Sequence, residues 1–320
     1  MIFEDLPPTP TAEDLIDTAF SRAARAGRAK SGADAQLSML QTAANVISDN
    51  LENVVDGWPD FDRIDPFYYE LADTLVDVDA LRGHLGEITW ASRKAASLRD
   101  EYQSRVHDDT ETARKYRKQA FARLADVVES VEADLEAVIE AGKQLKELPD
   151  IRPDEPAIVV AGYPNVGKSS FLNAVTRARH ETASYPFTTT GIGVGHLTRD
   201  RVRYQVVDTP GLLDRPPEER NDIEQQAISA LTHLADCVLV IVDASERCGY
   251  PIEQQLRLRD AVAERFDVPV LTVCNKADYS RDVEADHYMS VTEDEGVEAV
   301  VAAAVDAIDY EPELPFEAAE

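Results

Sequence analysis

Ala157-Ile158-Val159-Val160-Ala161 runs straight into Gly162-Tyr163-Pro164-Asn165-Val166-Gly167-Lys168-Ser169. Five apolar residues, mostly β-branched, read as a buried strand. The next eight match G-x-x-x-x-G-K-[ST] at every fixed position, and Ser170–Thr176 continues as a helix. Glycines let the backbone fold so that several N–H groups converge on phosphate oxygens. The helix that follows adds the positive end of its dipole. The expected cradle is therefore Gly162, Tyr163, Pro164, Asn165, Val166, Gly167, Lys168, Ser169 and Ser170. Within it Lys168 reaches the β- and γ-phosphates, and the Ser169 hydroxyl ligates Mg2+.

Two downstream segments complete a nucleotide site. Asp208-Thr209-Pro210-Gly211 follows the run Val206-Val207, 40 residues after Lys168. A carboxylate delivered to the carboxyl edge of a sheet can hold the metal through a water, and the Gly211 N–H can sense the γ-phosphate. Asn275-Lys276-Ala277-Asp278 follows the apolar run Val270–Cys274. There the Asp278 carboxylate can accept hydrogen bonds from N1–H and the exocyclic amine of guanine. Adenine has an acceptor at N1 and no such amine, so it leaves a desolvated charge unpaired and is excluded. Asn275 braces this site and the Lys276 stem lies along the base. Met289-Ser290-Val291-Thr292 offers the Ser290 N–H to guanine O6.

Between the phosphate loop and Asp208 lies Ser184-Tyr185-Pro186-Phe187-Thr188-Thr189-Thr190-Gly191. A magnesium–GTP switch needs a threonine here whose hydroxyl completes the metal shell. By register that is Thr189, with Thr188 the alternative. The expected metal set is Ser169, Thr189 and Asp208, and the groups at the reacting phosphate are Lys168, Thr189 and Gly211. Leu212 occupies the place where Ras-type proteins carry a water-orienting glutamine, so the attacking water must be organised otherwise. Asn165 either coordinates a monovalent cation such as K+ beside the β- and γ-phosphates or braces the loop.

Around these motifs the strands are Ala157–Ala161, Ile192–Leu197, Arg203–Val207, Cys237–Val242, Val268–Cys274 and a short one ending near Met289. Helical stretches separate most of them, which predicts crossovers and a mostly parallel sheet. Thr198–Arg201 is too short for a crossover, so the two strands it joins form an antiparallel hairpin. Upstream the periodicity is helical. Ala12–Ala29, Leu37–Val55, Phe67–Leu81 after Pro66, and Leu85–Val106 each carry an apolar stripe. A fifth helix runs from Tyr116 through Ala120, Leu124, Val127, Val131 and Leu135 to Val138, a near-heptad seam suited to a bundle. Expected domains are thus a helical bundle over 1–150, an α/β domain over 151–310, and an acidic tail over 311–320.

The chain has 320 residues, 44% of them hydrophobic, and a formal charge of −29. The acidity divides as −13 over residues 1–150 and −16 over the rest. A negative field of that breadth argues against DNA or anionic membrane as a partner through bulk charge. It also suits a protein kept in solution by concentrated salt, where repulsion is screened. Arg114, Lys115, Arg117, Lys118 and Arg123 cluster locally against this background, as a solvated helix face or a phosphate contact. Cys237, Cys248 and Cys274 form no C-x-x-C pair, which disfavours zinc and disulfide staples. Met1–Thr11 lacks the pattern of a signal peptide, and no run approaches the ~18 apolar residues of a membrane span. A cytoplasmic chain is expected.

Gly162–Ser169, Tyr185–Thr189, Asp208–Leu212 and Asn275–Asp278 together resemble the Obg-related branch of GTPases. Within it, Arg220–Leu234, Asp65–Leu71 and Ser245-Glu246-Arg247-Cys248-Gly249 resemble the nucleolar G-protein (NOG) family, in a short, archaeal-type form. The resemblance spans about residues 15–310, so it includes the helical segment. It implies a Ras-like P-loop G domain preceded by an all-α bundle, with Mg2+ as cofactor and GTP and GDP as ligands. It further implies GTP hydrolysis as a switch in assembly of the large ribosomal subunit, with ribosomal RNA contacted by the N-terminal helices. The alternatives are a nucleotide-gated placeholder on ribosomal RNA with incidental hydrolysis, and a GTPase associated with RNA modification. Eukaryotic members continue into long tails, whose partners do not carry over.

Overall fold

The computed structural model describes residues 2–3, 6–106, 109–146, 148, 151–176, 181–183, 192–209, 213 and 222–310. It divides into two compact units, Ile2–Arg63 with Leu75–Lys146, and Ile64–Thr74 with Glu147–Glu320.

The first unit is helical. Helix α1 (Ala12–Arg28) starts where the Thr11 hydroxyl accepts the Asp14 N–H, and α2 (Gly32–Asp56) returns antiparallel after a three-residue link. Helix α4 (Val78–Gln103) packs along α2. Ser48 and Ser92 meet there, hydroxyl to hydroxyl at 3.2 Å, and the Ser92 hydroxyl also donates to the Ser48 carbonyl at 3.0 Å. Small side chains allow close approach while each buried hydroxyl keeps a partner. Leu15, Leu40, Ile47, Leu51, Ile88, Leu98, Leu124 and Leu135 fill the core.

The expected fifth helix is two. Helix α5 (Thr110–Ser130) and α6 (Glu132–Leu145) are parted at Val131, whose backbone leaves the helical region at φ −111° and ψ 18°. The Ser130 hydroxyl bonds the Val127 carbonyl at 2.7 Å, competing with the helical ladder just before the break. Val127, Val131, Leu135 and Val138 are all buried, so the seam is real although the rod is not straight. The break lets both halves pack on α4.

Helix α3 (Pro66–Leu75) starts at Pro66, with Asp65 accepting the Phe67 N–H at 2.9 Å. It ends well before Leu81, because Asp77 caps α4 through the Ala80 N–H at 2.8 Å. By its contacts α3 groups with the second unit. Its Tyr68 hydroxyl donates to the Ile151 carbonyl, and its Glu70 carboxylate meets His233 at 3.0 Å.

The second unit is a seven-stranded sheet flanked by helices. The strands are β1 (Ala157–Ala161), β2 (Glu181–Ala183), β3 (Ile192–Arg199), β4 (Val202–Asp208), β5 (Cys237–Val242), β6 (Val270–Cys274) and β7 (His287–Tyr288), ordered β2-β3-β4-β1-β5-β6-β7. Pairing is parallel from β4 across to β7, and β3 alone runs against the rest. The β3–β4 hairpin turns at Asp200 and Arg201, both at positive φ (49° and 70°), as a two-residue hairpin loop requires. Strand β2 was not anticipated, and β6 begins at Val270 rather than Val268. Helices α7 (Lys168–Val175), α8 (Asp222–Leu234) and α9 (Ile252–Arg265) lie in the crossovers, and α10 (Val297–Ile308) follows the last strand. This is the Ras-like arrangement, with β1 buried along its whole length.

All three cysteines are buried. Burial, and then the nearby Asp236 charge, pushes the Cys237 thiol up to about 12, so it packs as a small apolar side chain. No helix among the described residues is long and apolar enough to cross a membrane.

Candidate functional site

Parallel register brings the sequence motifs to one edge. Val160 pairs with Asp208, Ala161 with Val240, and Val242 with Cys274. The phosphate loop after β1, Asp208 at the end of β4 and Asn275 just past β6 therefore emerge side by side at the carboxyl ends of the strands, where such sheets bind ligands.

The loop is tightly built. Gly162 has φ 138° and a Cβ there would lie 2.4 Å from the Ile241 carbonyl oxygen, so only glycine fits. Asn165 takes φ 62° with its side chain exposed at the mouth of the loop. Gly167, at φ 110°, is the N-cap of α7. Lys168 is buried, and its ammonium donates to the carbonyls of Gly162 at 2.6 Å and Tyr163 at 3.1 Å. A positive charge is thus already held inside the phosphate cradle.

The Ser169 hydroxyl donates to the Asp208 carboxylate at 2.6 Å, and Asp208 is buried. A hydroxyl and a carboxylate are hard oxygen donors of the kind Mg2+ takes, so this pair fits the expected metal. Beside it the Thr209 hydroxyl donates to the Val160 carbonyl at 3.0 Å, tying the end of β4 to β1. Pro210, Gly211, Leu212, Thr188 and Thr189 lie outside the described residues.

Asn275 braces three segments. Its N–H donates to the Val242 carbonyl at 2.8 Å, its side-chain amide to the Val166 carbonyl at 2.8 Å, and its side-chain oxygen accepts the Val291 N–H at 3.2 Å. The phosphate end and the base end are thereby fixed to one another. Asp278 is exposed at the loop surface.

A model of the NOG1 N-terminal helical domain matches residues 3–152, and a model of nucleolar GTP-binding protein 1 (NOG1) matches residues 222–278. An uncharacterized protein of Methanocaldococcus jannaschii is 42% identical, over 75% of this chain and 67% of that one. Nucleolar GTP-binding protein 1 of Drosophila melanogaster is 37% identical, over 72% of this chain and 36% of its own length. That of Candida glabrata is 30% identical, over 94% of this chain and 49% of its own. The chain belongs to the NOG1 family. It spans between about a third and a half of the eukaryotic relatives it matches.

In this NOG1-family chain one expected contact is not met. The Ser290 N–H donates to the Glu295 carbonyl at 2.9 Å, and Glu295 returns the bond at 3.0 Å. That amide is committed to closing its own loop, so Ser290 is a brace and not a donor to the base. The basic cluster also divides. Arg117 is taken by Gln36 at 3.1 Å and lies over the Phe121 ring, while Arg123 pairs with Glu101 at 3.3 Å. Arg114, Lys115 and Lys118 stay exposed.

Sequence reasoning missed Asp243 altogether. It ends the run Cys237–Val242 and reads as the first residue of a surface loop, yet it is wholly buried and its carboxylate meets the Lys276 ammonium at 2.6 Å. Burial pushes its pKa up, but the Lys276 ammonium with the Ser245 and Cys248 donors outweighs this and holds it below the usual carboxylate value.

Proposed function

We propose that this chain binds GTP with Mg2+ and hydrolyses it slowly, as a switch that sets its affinity for a precursor of the large ribosomal subunit. The observation that carries the nucleotide part is the Asn275 bridge, which joins a G-x-x-x-x-G-K-S loop to an N-K-x-D segment at one sheet edge. The backbone of Gly162–Ser170 and Lys168 grip the phosphates, Ser169 and Asp208 hold the metal with Thr189 as third donor, and Asp278 reads the base. Bound Mg2+ supplies charge neutralisation across the β- and γ-phosphates. Gly211 reports the γ-phosphate through its N–H.

Support for the ribosomal part is the family itself, whose curated eukaryotic members are named nucleolar GTP-binding proteins. Exposed Arg114, Lys115 and Lys118 on α5 give the helical unit cations for an RNA backbone, contacts that position without reading sequence. The reading places the protein in the cytoplasm where no nucleus exists. Sedimentation of tagged protein with a non-hydrolysable GTP analogue tests it: co-migration with large-subunit precursors is expected, and its absence with both GTP analogue and GDP rejects the ribosomal role.

Leu212 brings no hydrogen-bonding group to the attacking water, so charge stabilisation must come from another source. We assign it to a K+ held by the Asn165 side-chain oxygen, which stands exposed beside the phosphate cradle. Turnover in K+ buffer is expected to exceed that in Na+ buffer at least several-fold. Equal rates would return Asn165 to the role of a loop brace.

A further inference from the structure

The segment Ser245-Glu246-Arg247-Cys248-Gly249 carries none of the nucleotide contacts described above, yet the loop it belongs to touches the site at three places. Asp243, at its root, pairs with Lys276. Arg247 lies over the Tyr279 ring with its guanidinium carbon 3.5 Å from the centroid, one residue past Asp278. Tyr250, at its end, packs at a tilt against Tyr163 of the phosphate loop, with centroids 4.5 Å apart and ring planes at 35°.

The loop is itself held rigid. The Asp243 carboxylate accepts the Ser245 N–H at 2.9 Å and the Cys248 N–H at 2.9 Å, besides the Ser245 hydroxyl. Gln255 on α9 is buried beneath it. Its side-chain oxygen accepts the Asp243 N–H at 2.8 Å, and its amide donates to the Tyr250 carbonyl at 2.8 Å. Glu246 accepts the Ile252 N–H at 2.9 Å and so caps α9. A carboxylate with no exposed surface and four donors is a fixed anchor for the mobile end of a lysine.

We infer that Asp243 is a positioning residue for the guanine pocket: it pins the Lys276 ammonium so that the lysine stem forms one preset wall for the base. This rests on the nucleotide reading above. Lysine loses much rotamer freedom when its stem is ordered against a ligand. Anchoring the ammonium beforehand removes that cost from base binding and leaves phosphate binding untouched.

The test is calorimetric titration of the full chain and of Asp243→Asn with GDP and, separately, with inorganic tripolyphosphate, both in Mg2+. GDP affinity is expected to fall at least tenfold in the variant while tripolyphosphate affinity stays within twofold. Unchanged GDP affinity overturns the inference. So does a parallel loss for both ligands, which would make Asp243 a support of the fold alone. If D243N does not fold, the double variant D243N/K276M, which strands no buried charge, is titrated beside K276M alone: equal GDP affinities are expected, because the carboxylate acts only through the ammonium, and a lower affinity in the double variant overturns the inference. Failure of the unaltered chain to bind GDP would instead reject the nucleotide reading, so the two failures are distinguishable.

Discussion

Replacing Asp278 with asparagine (D278N) is expected to exchange guanine for xanthine as the preferred base. The carboxylate offers two acceptors, matched to the N1–H and the amine of guanine. An amide presents a donor on one side, which opposes the guanine amine and suits the C2 carbonyl of xanthine. Asp278 is exposed in this structure, and on the proposed reading a bound base would cover it. A mismatch is therefore felt as a desolvated, unpaired group, at about 1–3 kcal/mol and more where charge is involved. That is roughly 5- to 150-fold in affinity. Titration of D278N with GTP and xanthosine triphosphate would measure it, and an unchanged preference for GTP would remove Asp278 from the base site.

The second large effect is expected at Gly167. An alanine there must hold φ 110°, a strain of about 1–3 kcal/mol. Its Cβ would also lie 2.2 Å from the Asn275 amide nitrogen. That nitrogen has little room to yield, because it is the atom that bonds the Val166 carbonyl. Relieving the clash breaks the tie between phosphate loop and base loop, at about 1 kcal/mol more. The Gly167→Ala chain should unfold roughly 5–10 °C lower in its sheet unit and lose measurable GTP binding. Thermal scans with calorimetry check both, and an unshifted midpoint with intact affinity would contradict the geometry of the loop.

The phosphate loop was legible residue by residue because its requirement is local. Gly162 and Gly167 are needed for their own φ, and Lys168 and Ser169 follow within the same turn of backbone. The β3–β4 hairpin was legible for a similar reason, since four residues leave no room for a crossover. Strand β2 was not, because Glu181-Thr182-Ala183 has no alternation to read and becomes a strand only by pairing with Val194, Gly193 and Ile192. The apolar seam of the fifth helix was right about burial and silent about the break at Val131, since a heptad pattern tolerates a kink that keeps the same face inward. Ser290 was read as a base contact from its place after a strand. Its amide goes instead to Glu295, a choice made by how the loop closes.

Sequence by itself determined what needs only neighbours along the chain: the glycine-built loop after β1 and two kinds of periodicity that separate helices from sheet. Tertiary structure alone decided which distant groups meet. Lys276 and Asp243 stand 33 residues apart and face each other only because β5 and β6 lie in parallel register. Helix α3 comes early in the chain yet groups with the sheet through Tyr68 and Glu70. Spacing along a chain encodes backbone conformation, which is local; pairing across a core depends on which surfaces bury each other, and that is settled only when the whole unit packs.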